Sequence, residues 1–531
     1  MNPEHERMLQ EIAEADVRLT ERFAPRLKVN TDLDRTLVSF QANKGENGHR
    51  WCKYKEGFSA ALIRYILRKV TPLSGPILDP FAGSGTALFA ASEAGIDAIG
   101  IELLPSSAEI IEVRSLLESA DKGSVSQKVI EFMRARTWEK AGGARPFPHL
   151  RITQGAFPGE TERRLGRYLV EVDRHKDELL KRVLRFAALC ILESVSFTRK
   201  DGQYLRWDSR SGRRAGGKPF DKGPIQGFSE AIVAKLGDIA SDLAGEGPLF
   251  DSLTPSTKRG AITLLQGSCL DVLPRLESAS FGGIVTSPPY CNRYDYTRTY
   301  ALELAMLGVD EEAIRRLRQA LLSCTVENRD KTDLADRFGK DCFQAALAAF
   351  ESQDVLQRIL QYLEACRADG SINNPGIPRM VRNYFLEMAC VIFECRRVLK
   401  PGAPFVMVND NVRYQGAHVP VDLILSDIAR KAGLTADVIL VLPRGKGNSS
   451  QQMGLHGREE IRKCVYVWRA KERRATRRAS PTARRSGRYG PNRIEYTSAS
   501  FITNRMRTGR PARGPTPELP CHVTTRAVSS P

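Results

Sequence analysis

The stretch that decides the fold is Pro76-Ile-Leu-Asp-Pro-Phe-Ala-Gly-Ser-Gly-Thr-Ala-Leu88. A short apolar strand enters a loop with two glycines, and residues 87–94 then predict a helix. The next predicted strand, residues 98–101, ends in Glu102, which lies 17 residues after Gly85. Glycines let a chain turn sharply beside a ligand, and an acid at the end of the second strand can hold a ribose hydroxyl. This succession predicts a nucleoside-binding α/β sheet.

The same loop indicates which nucleoside is bound. Leu88 stands where the NAD fingerprint has a small residue, and no Gly-Lys-Ser/Thr follows, so dinucleotide and nucleotide P-loop sites are not indicated. Asp79 would repel a phosphate but can accept a hydrogen bond from an amino group. A ligand with a ribose, an ammonium group and no phosphate is S-adenosylmethionine, which is the cofactor that we expect.

A second motif, Thr286-Ser-Pro-Pro-Tyr290, follows the apolar residues 281–285, which predict a short buried strand. Proline has no N–H to donate, so the strand stops here and leaves carbonyl oxygens, a hydroxyl and a ring at its carboxyl end. These groups suit a planar amine. Taken alone, the pentapeptide is equally compatible with a Pro-Pro turn before a helix.

Together, residues 79–86 and 286–290 resemble the DNA amino-methyltransferases, the N4-cytosine and N6-adenine family. The resemblance implies an α/β fold, a Rossmann-like seven-stranded class I methyltransferase sheet, here with two large, mainly helical insertions. It also implies a set of residues that bind the cofactor, with Glu102 on the ribose, Asp271 on the adenine amine and Phe58 in a segment on the methionine end. The remaining members of the set come from the glycine loop: Asp79, Phe81, Gly83, Gly85 and Thr86.

The resemblance makes Ser287, Pro288, Pro289 and Tyr290 the catalytic residues. The Ser287 hydroxyl and the Pro288 carbonyl would accept hydrogen bonds from an exocyclic amine and localise its lone pair. Tyr290 would stack on a base flipped out of the duplex. In this family Asp in place of Ser287 usually accompanies adenine, so cytosine N4 is favoured over adenine N6. No metal is expected, because no His/Cys cluster has the spacing of zinc ligands.

Two other functional classes remain as alternatives. The first is an RNA methyltransferase that acts on a guanine or adenine amine. The second is a non-catalytic DNA-binding module with a vestigial cofactor site. A cytosine-C5 enzyme is not indicated, since its Pro-Cys nucleophile is absent: Tyr290 separates Pro289 from Cys291.

The order of the motifs predicts six segments. Residues 1–105 hold an N-terminal segment and the cofactor-binding half, and 106–260 form an insertion that is the candidate target-recognition region. Asp271 follows this insertion instead of preceding it, which leaves the class within the family open. The other segments are the catalytic strands 261–307, a helical insertion 308–380, the rest of the sheet 381–470 and a basic disordered tail 471–531.

Local patterns give a few expectations within these segments. Residues 341–365 predict one long helix. Residues 438–442 and 463–468 predict the last two strands of the sheet, as an antiparallel pair.

The formal charge of +18 and the pI of about 9.5 favour a polyanionic partner, and we expect double-stranded DNA. The tail carries much of this charge, since residues 470–531 contain 14 Lys and Arg against 3 Asp and Glu. Two further places combine basic and aromatic residues: the stretch after the catalytic motif and a glycine-rich loop, for which a solvated basic loop is the alternative. The candidate DNA contacts are Arg293, Arg298, Tyr204, Arg206, Trp207, Arg210, Arg213 and Arg214.

The eleven cysteines show no paired spacing, the amino-terminal residues are charged, and no apolar run reaches the length of a membrane span. We therefore expect reduced thiols and a cytoplasmic, nucleoid-associated protein with no membrane contact. The resemblance further implies a prokaryotic or phage context and, as a possible partner, a cognate restriction endonuclease. The sequence makes no prediction about the oligomeric state or the recognition sequence.

Overall fold

The structure is a computed structural model, and it describes residues 2–71, 73, 75–140, 142–201, 205–213, 219–245, 258–443 and 461–472. The predicted basic tail lies outside these residues from position 473 onward. Twelve strands lie within the described ranges: β1 Leu27–Val29, β2 Ile77–Asp79, β3 Ala98–Glu102, β4 Thr198–Lys200, β5 Leu205–Trp207, β6 Ile262–Gln266, β7 Gly283–Thr286, β8 Pro404–Asp410, β9 Val412–Tyr414, β10 Ala417–Val419, β11 Leu434–Val441 and β12 Lys463–Ala470.

Eight of these strands form one sheet in the order β1-β11-β12-β8-β7-β2-β3-β6. The five strands from β8 to β6 are mutually parallel, and β12 runs antiparallel to both of its neighbours. The antiparallel pair predicted at the end of the chain is thereby confirmed as β11 and β12. A parallel-dominated sheet in a mixed α/β protein is compatible with a Rossmann-like methyltransferase.

The sheet has eight strands in place of the predicted seven. The additional strand is β1, whose three residues pair in parallel with β11 from Leu27 opposite Ile439 to Val29 opposite Val441. Of the three residues of β1, Leu27 is partly buried and the other two are exposed. The strand therefore has no buried apolar pattern from which it could be predicted. Its pairing depends on a strand about four hundred residues away, which local sequence does not indicate.

Helices cover both faces of this sheet. The helices of the described residues, not all of which contact this sheet, are α1 Pro3–Phe23, α2 Ala60–Tyr65, α3 Thr86–Glu93, α4 Pro105–Ser119, α5 Lys122–Ala135, α6 Thr137–Lys140, α7 Gly159–Arg174, α8 Glu178–Ile191, α9 Phe228–Ala244, α10 Cys269–Val272, α11 Tyr296–Thr299, α12 Ala301–Met306, α13 Glu311–Ala320, α14 Leu334–Phe338, α15 Lys340–Glu351, α16 Asp354–Ala368, α17 Ile377–Val398 and α18 Val421–Lys431.

The central strand β8 shows how the two faces are built. Phe405 and Met407 pack into a core with α1 and α15 to α18, whereas Val406 and Val408 face the core beneath α2. Successive side chains of a strand point to opposite faces, so an uninterrupted apolar run has to be buried on both sides. The result is three layers, helix on sheet on helix.

The predicted helix at 341–365 is two helices, α15 and α16. The break follows Glu351, and the side chain of Gln353 then accepts a hydrogen bond of 2.9 Å from the backbone of Leu356, which caps α16. Apolar residues continue through the break, so hydrophobic pattern alone did not reveal it.

The chain between β3 and β6 contains α4 to α9 and the hairpin of β4 and β5. These helices share a separate apolar core that also takes in α12 and the segment around Trp51. The part of the chain that the structure describes contains no helix long and apolar enough to cross a membrane.

Candidate active site

A cavity lies at the carboxyl ends of β2, β3 and β7, where open α/β sheets place their ligands. The structure brings most of the predicted cofactor and catalytic residues to its wall: Phe58, Asp79, Phe81, Gly83, Thr86, Glu102, Ser287 and Pro289.

The loop after β2 approaches its neighbours too closely for side chains at its glycines. Gly83 has φ +54°, and a Cβ there would lie 3.0 Å from the ring of Tyr54. Gly85 caps α3 with φ +77°, and a Cβ would lie 2.8 Å from the side chain of Ile111. Gly85 therefore does not line the cavity itself but allows the helix to begin directly beneath it.

Asp79 ends β2 and is 1% exposed. One carboxylate oxygen, Oδ1, accepts hydrogen bonds from the Thr286 hydroxyl at 2.6 Å and from the Phe81 backbone at 3.0 Å. Burial raises the pKa of Asp79 to about 7, against the opposing effect of these two donors. The other oxygen, Oδ2, accepts no hydrogen bond from the described residues and remains available to a cationic group in the cavity.

Glu102 ends β3 and is 8% exposed. Its two oxygens accept one backbone hydrogen bond each, from Gly83 and from Leu104, both at 2.7 Å. A carboxylate has further lone pairs, so both oxygens can still accept from a ligand. Burial raises its pKa to about 7, opposed by the backbone donors.

The charge of the cavity wall is one-sided. Glu56 lines the cavity together with Asp79 and Glu102, and the described lining residues include no Lys, Arg or His. Three carboxylates among apolar side chains favour a cationic ligand and disfavour a phosphate.

The predicted catalytic motif begins where β7 ends. Ser287 and Pro289 line the cavity, whereas Pro288 and Tyr290 are not among its lining residues. The Ser287 hydroxyl lies 3.3 Å from the Tyr290 hydroxyl, to which it donates. Burial raises the pKa of Tyr290, and the nearby Asp410 carboxyl raises it further. The tyrosine is therefore a neutral phenol near pH 7.

Sequence reasoning missed a group of tyrosines around Glu56. The hydroxyls of Tyr294 and Tyr300 both donate to the Glu56 carboxylate. Tyr300 also stacks on Tyr54, with ring centroids 5.3 Å apart, and Tyr296 reaches the cavity wall. The clue in the sequence was the position of three tyrosines directly after the catalytic motif, but their acidic partner lies more than two hundred residues earlier.

The structure does not place Asp271 at the cavity. This residue is the third of the short helix α10 and forms an ion pair with Arg337 at 2.9 Å. Gly267, Ser268 and Cys269 line the cavity in its place. Because Asp271 pairs with Arg337 and is not a lining residue, its expected contact with an adenine amine finds no support in this geometry.

The predicted DNA contacts fall into three groups. Arg298 forms ion pairs with Asp295 and Glu327, and Arg293, beside the catalytic motif, adopts φ +67°. In the hairpin, Arg206 covers the ring of Phe220, Arg213 covers Trp207 at 3.8 Å, and Arg210 pairs with Asp208 at 2.7 Å. Tyr204 and Arg214 lie outside the described residues.

These contacts change the interpretation of the basic loop. Arg213 also donates to the carbonyls of Arg151 and Gln154, so its guanidinium fastens the hairpin to the helical region. The face of Trp207 that Arg213 covers is not open to a base. Arg210 and Arg213 form internal contacts that stabilise this region. A basic surface that is available to DNA therefore lies elsewhere on the protein.

Comparison with known proteins gives a consistent set of relatives. A family model described as DNA methylase matches residues 7–113. The chain is 49% identical over 475 residues to the type II methyltransferase M.AvaI of Nostoc sp. (strain PCC 7120), covering 88% of this chain and 96% of the relative. It is 40% identical over 462 residues to the type II methyltransferase M.BsoBI of Geobacillus stearothermophilus, covering 82% and 88%. No solved structure matches the chain significantly.

Proposed function

Since this chain belongs to the DNA amino-methyltransferases, as a relative of type II methyltransferases, we propose that it methylates the exocyclic N4 amine of cytosine in DNA. The methyl donor in this proposal is S-adenosylmethionine, and the acceptor is a base flipped out of the duplex. One observation carries the proposal. Carboxylates suited to a cationic nucleoside line the same cavity as Ser287 and Pro289 of the Ser-Pro-Pro-Tyr motif.

The cavity wall fits the methyl donor by the chemistry of its groups. Asp79 offers a free carboxylate oxygen to an ammonium group, and Glu102 offers lone pairs to ribose hydroxyls. Gly83 has no side chain, so the ring of Tyr54 packs directly against the loop backbone, and both residues line the cavity. The lack of basic residues among the described lining residues agrees with a ligand that has no phosphate.

The mechanism that follows requires mainly positioning. When bound, S-adenosylmethionine supplies an electrophilic methyl group on a sulfonium sulfur. The Ser287 hydroxyl and the Pro288 carbonyl accept hydrogen bonds from the exocyclic amine and draw its lone pair out of conjugation with the ring. Tyr290 stacks on the base and sets the angle of approach. Glu56, Asp79 and Glu102 would together supply negative charge to the cavity that holds the cationic methyl donor.

Cytosine N4 is proposed over adenine N6 because of Ser287. In the family this position usually holds Asp in adenine enzymes and Ser in cytosine-N4 enzymes. Methylation of adenine N6 is the alternative within the same mechanism, and an RNA amine is a less favoured acceptor. As a member of a restriction–modification pair, the enzyme would protect its site from a cognate endonuclease.

The test is to sequence DNA from cells that express the protein, with a readout that distinguishes N4-methylcytosine from N6-methyladenine. We expect N4-methylcytosine at one short sequence, and no mark in cells that express Tyr290→Ala. N6-methyladenine at a defined site would correct the base but keep the enzyme class. Transfer of labelled methyl groups to RNA with unlabelled DNA would reject the proposal.

A further inference from the structure

A basic groove runs beside the wall of the cofactor cavity. It is formed by residues of α13, the loop after it, α14 and the start of α17. We call it the arginine groove, because its lining includes Arg315, Arg316, Arg318, Arg329, Arg337 and Arg379. Two glutamates, Glu312 and Glu327, are the acidic residues of the same lining.

Three of the six arginines are neutralised within the protein. Arg316 pairs with Glu312, one turn away on α13. Arg318 pairs with the buried Asp295 at 3.1 Å, and Arg337 pairs with Asp333 at 2.7 Å and with Asp271. These contacts fix the shape of the groove but offer little charge to a ligand.

The other three arginines keep their charge uncompensated. Arg315 and Arg329 are exposed, and neither side chain has a hydrogen-bond or ion-pair partner among the described residues. Arg379 donates to the carbonyl of Val326 at 3.0 Å, which orients the guanidinium without neutralising it. Glu327 offers no compensation, because it is paired with Arg298 at 3.1 Å.

The loop that carries Arg329 is held in place. The backbone N–H of Arg329 donates to the side chain of Gln319 at 2.9 Å, and the side chain of Asn328 donates to the carbonyl of Arg318 at 2.7 Å. Arg329 and Arg315 therefore project from a fixed framework, so a ligand that binds them does not have to order the loop first.

One stretch of chain separates the arginine groove from the cofactor cavity. Ala320 lines the groove, and the next two residues, Leu321 and Leu322, line the cavity. The Ser268 hydroxyl donates to the carbonyl of Ala320 at 2.7 Å and anchors this partition. A long polyanion seated in the groove would thus pass next to the place where the methyl group is transferred.

We propose that the arginine groove binds the sugar–phosphate backbone of the duplex DNA substrate, with Arg315 and Arg329 on phosphates. This inference rests on the proposed function and adds to it a contact surface that differs from the hairpin predicted from sequence. A guanidinium group can donate two parallel hydrogen bonds to two oxygens of one phosphate. Contacts with the DNA backbone position a duplex without reading its base sequence. The hairpin arginines Arg210 and Arg213 are occupied by internal contacts, whereas these two are available.

The experiment measures the salt dependence of binding. A short fluorescent duplex of arbitrary sequence is titrated with the full chain at several salt concentrations between about 50 and 200 mM. For Arg315→Ala/Arg329→Ala we expect the slope of log Kd against log salt to be less steep than that of wild type by about two. Arg315→Lys/Arg329→Lys keeps both charges and should keep most of the slope.

The matched control is Arg26→Ala/Lys28→Ala, which removes the same charge from exposed residues at the edge strand β1. Its slope should equal that of wild type. Methyl transfer to unmethylated plasmid DNA is the second readout: Arg315→Ala/Arg329→Ala should raise KM for DNA and leave kcat at saturating DNA unchanged.

The possible failures are distinguishable. A wild-type slope in Arg315→Ala/Arg329→Ala, or an equal loss of slope in the control variant, overturns the arginine groove as a DNA surface. If wild type transfers no methyl group to DNA, the proposed function itself fails, whatever the slopes show.

Discussion

The Thr286 hydroxyl donates a hydrogen bond of 2.6 Å to the Asp79 carboxylate, which joins the last residue of β7 to the last residue of β2. The two strands are parallel neighbours in the sheet, and both side chains are buried. The residue that begins the proposed catalytic motif thus holds the carboxylate of the loop that is proposed to bind the cofactor.

Replacing Thr286 by Val should weaken binding of S-adenosylmethionine by roughly tenfold or more, because a hydrogen bond to a charged group is lost in a buried site. The change keeps the shape of the side chain and removes only the hydroxyl. The lost donor also favours the protonated form of Asp79. Isothermal titration calorimetry measures the affinity.

Thr286→Ser is the matched control, since it keeps the hydroxyl and removes a methyl group. It should bind the cofactor nearly as wild type does. Equal affinities for Thr286→Val and wild type would mean that this hydrogen bond does not prepare Asp79 for a ligand.

Cofactor binding should release protons near neutral pH. Burial holds the pKa values of Asp79 and Glu102 at about 7, so both carboxyls are partly protonated in the free protein. A cationic ligand binds the ionised forms, and affinity should therefore rise between about pH 6 and about pH 8. Calorimetry in buffers of different ionisation enthalpy measures the proton release directly.

Stability of the free protein should change in the opposite direction. A carboxyl whose pKa is raised by folding stabilises the native state below its unfolded pKa, near 4, and loses that contribution as pH rises to about 7. The difference in urea stability between wild type and Asp79→Asn should shift in favour of Asn as pH rises through this window. A difference that does not vary with pH would contradict the raised pKa.

Tyr290→Ala should lose most of the turnover and keep cofactor binding, because Tyr290 does not line the cavity and is proposed to stack on the base. Tyr290→Phe keeps the ring and loses the contact with Ser287, so it should keep most of the turnover. The measurement is methyl transfer to DNA at saturating cofactor. Full turnover of Tyr290→Ala would reject stacking as a catalytic element.

The sequence predicted the part of the site that depends on neighbouring residues. Gly83 and Gly85 are required because both have positive φ and close neighbours, and the short sequence around them already indicates such a loop. Glu102 followed from its place at the end of a strand. Local sequence specifies such features because the strand, the turn and the helix cap are formed by adjacent residues.

The sequence could not predict features that depend on distant partners. Asp271 forms an ion pair with Arg337, and Glu56 accepts hydrogen bonds from the hydroxyls of Tyr294 and Tyr300. Strand β1 pairs with β11, which lies about four hundred residues later in the chain. The basic hairpin had the composition of a DNA surface, but Asp208 and the ring of Trp207 engage its arginines. Charge in a sequence does not reveal whether a carboxylate elsewhere neutralises it.

The buried ion pair between Lys200 and Glu303 links the hairpin to the tyrosines beside the cavity. Nζ of Lys200 lies 2.6 Å from Glu303 and 4.2 Å from the centre of the Tyr300 ring, and both charged side chains are 4% exposed. Lys200→Met leaves Glu303 buried without a partner, which should destabilise the protein by about 3–5 kcal/mol.

Lys200→Met/Glu303→Leu removes both charges and should recover much of that loss, because the desolvation cost of each ion is removed with its partner. Urea unfolding of the two single variants and the double variant measures the coupling. In the double variant the cation is also absent from the face of Tyr300, which stacks on Tyr54 at the cavity wall. We therefore expect its KM for S-adenosylmethionine to rise even where stability is restored, whereas a KM equal to that of wild type would show that the pair serves stability alone.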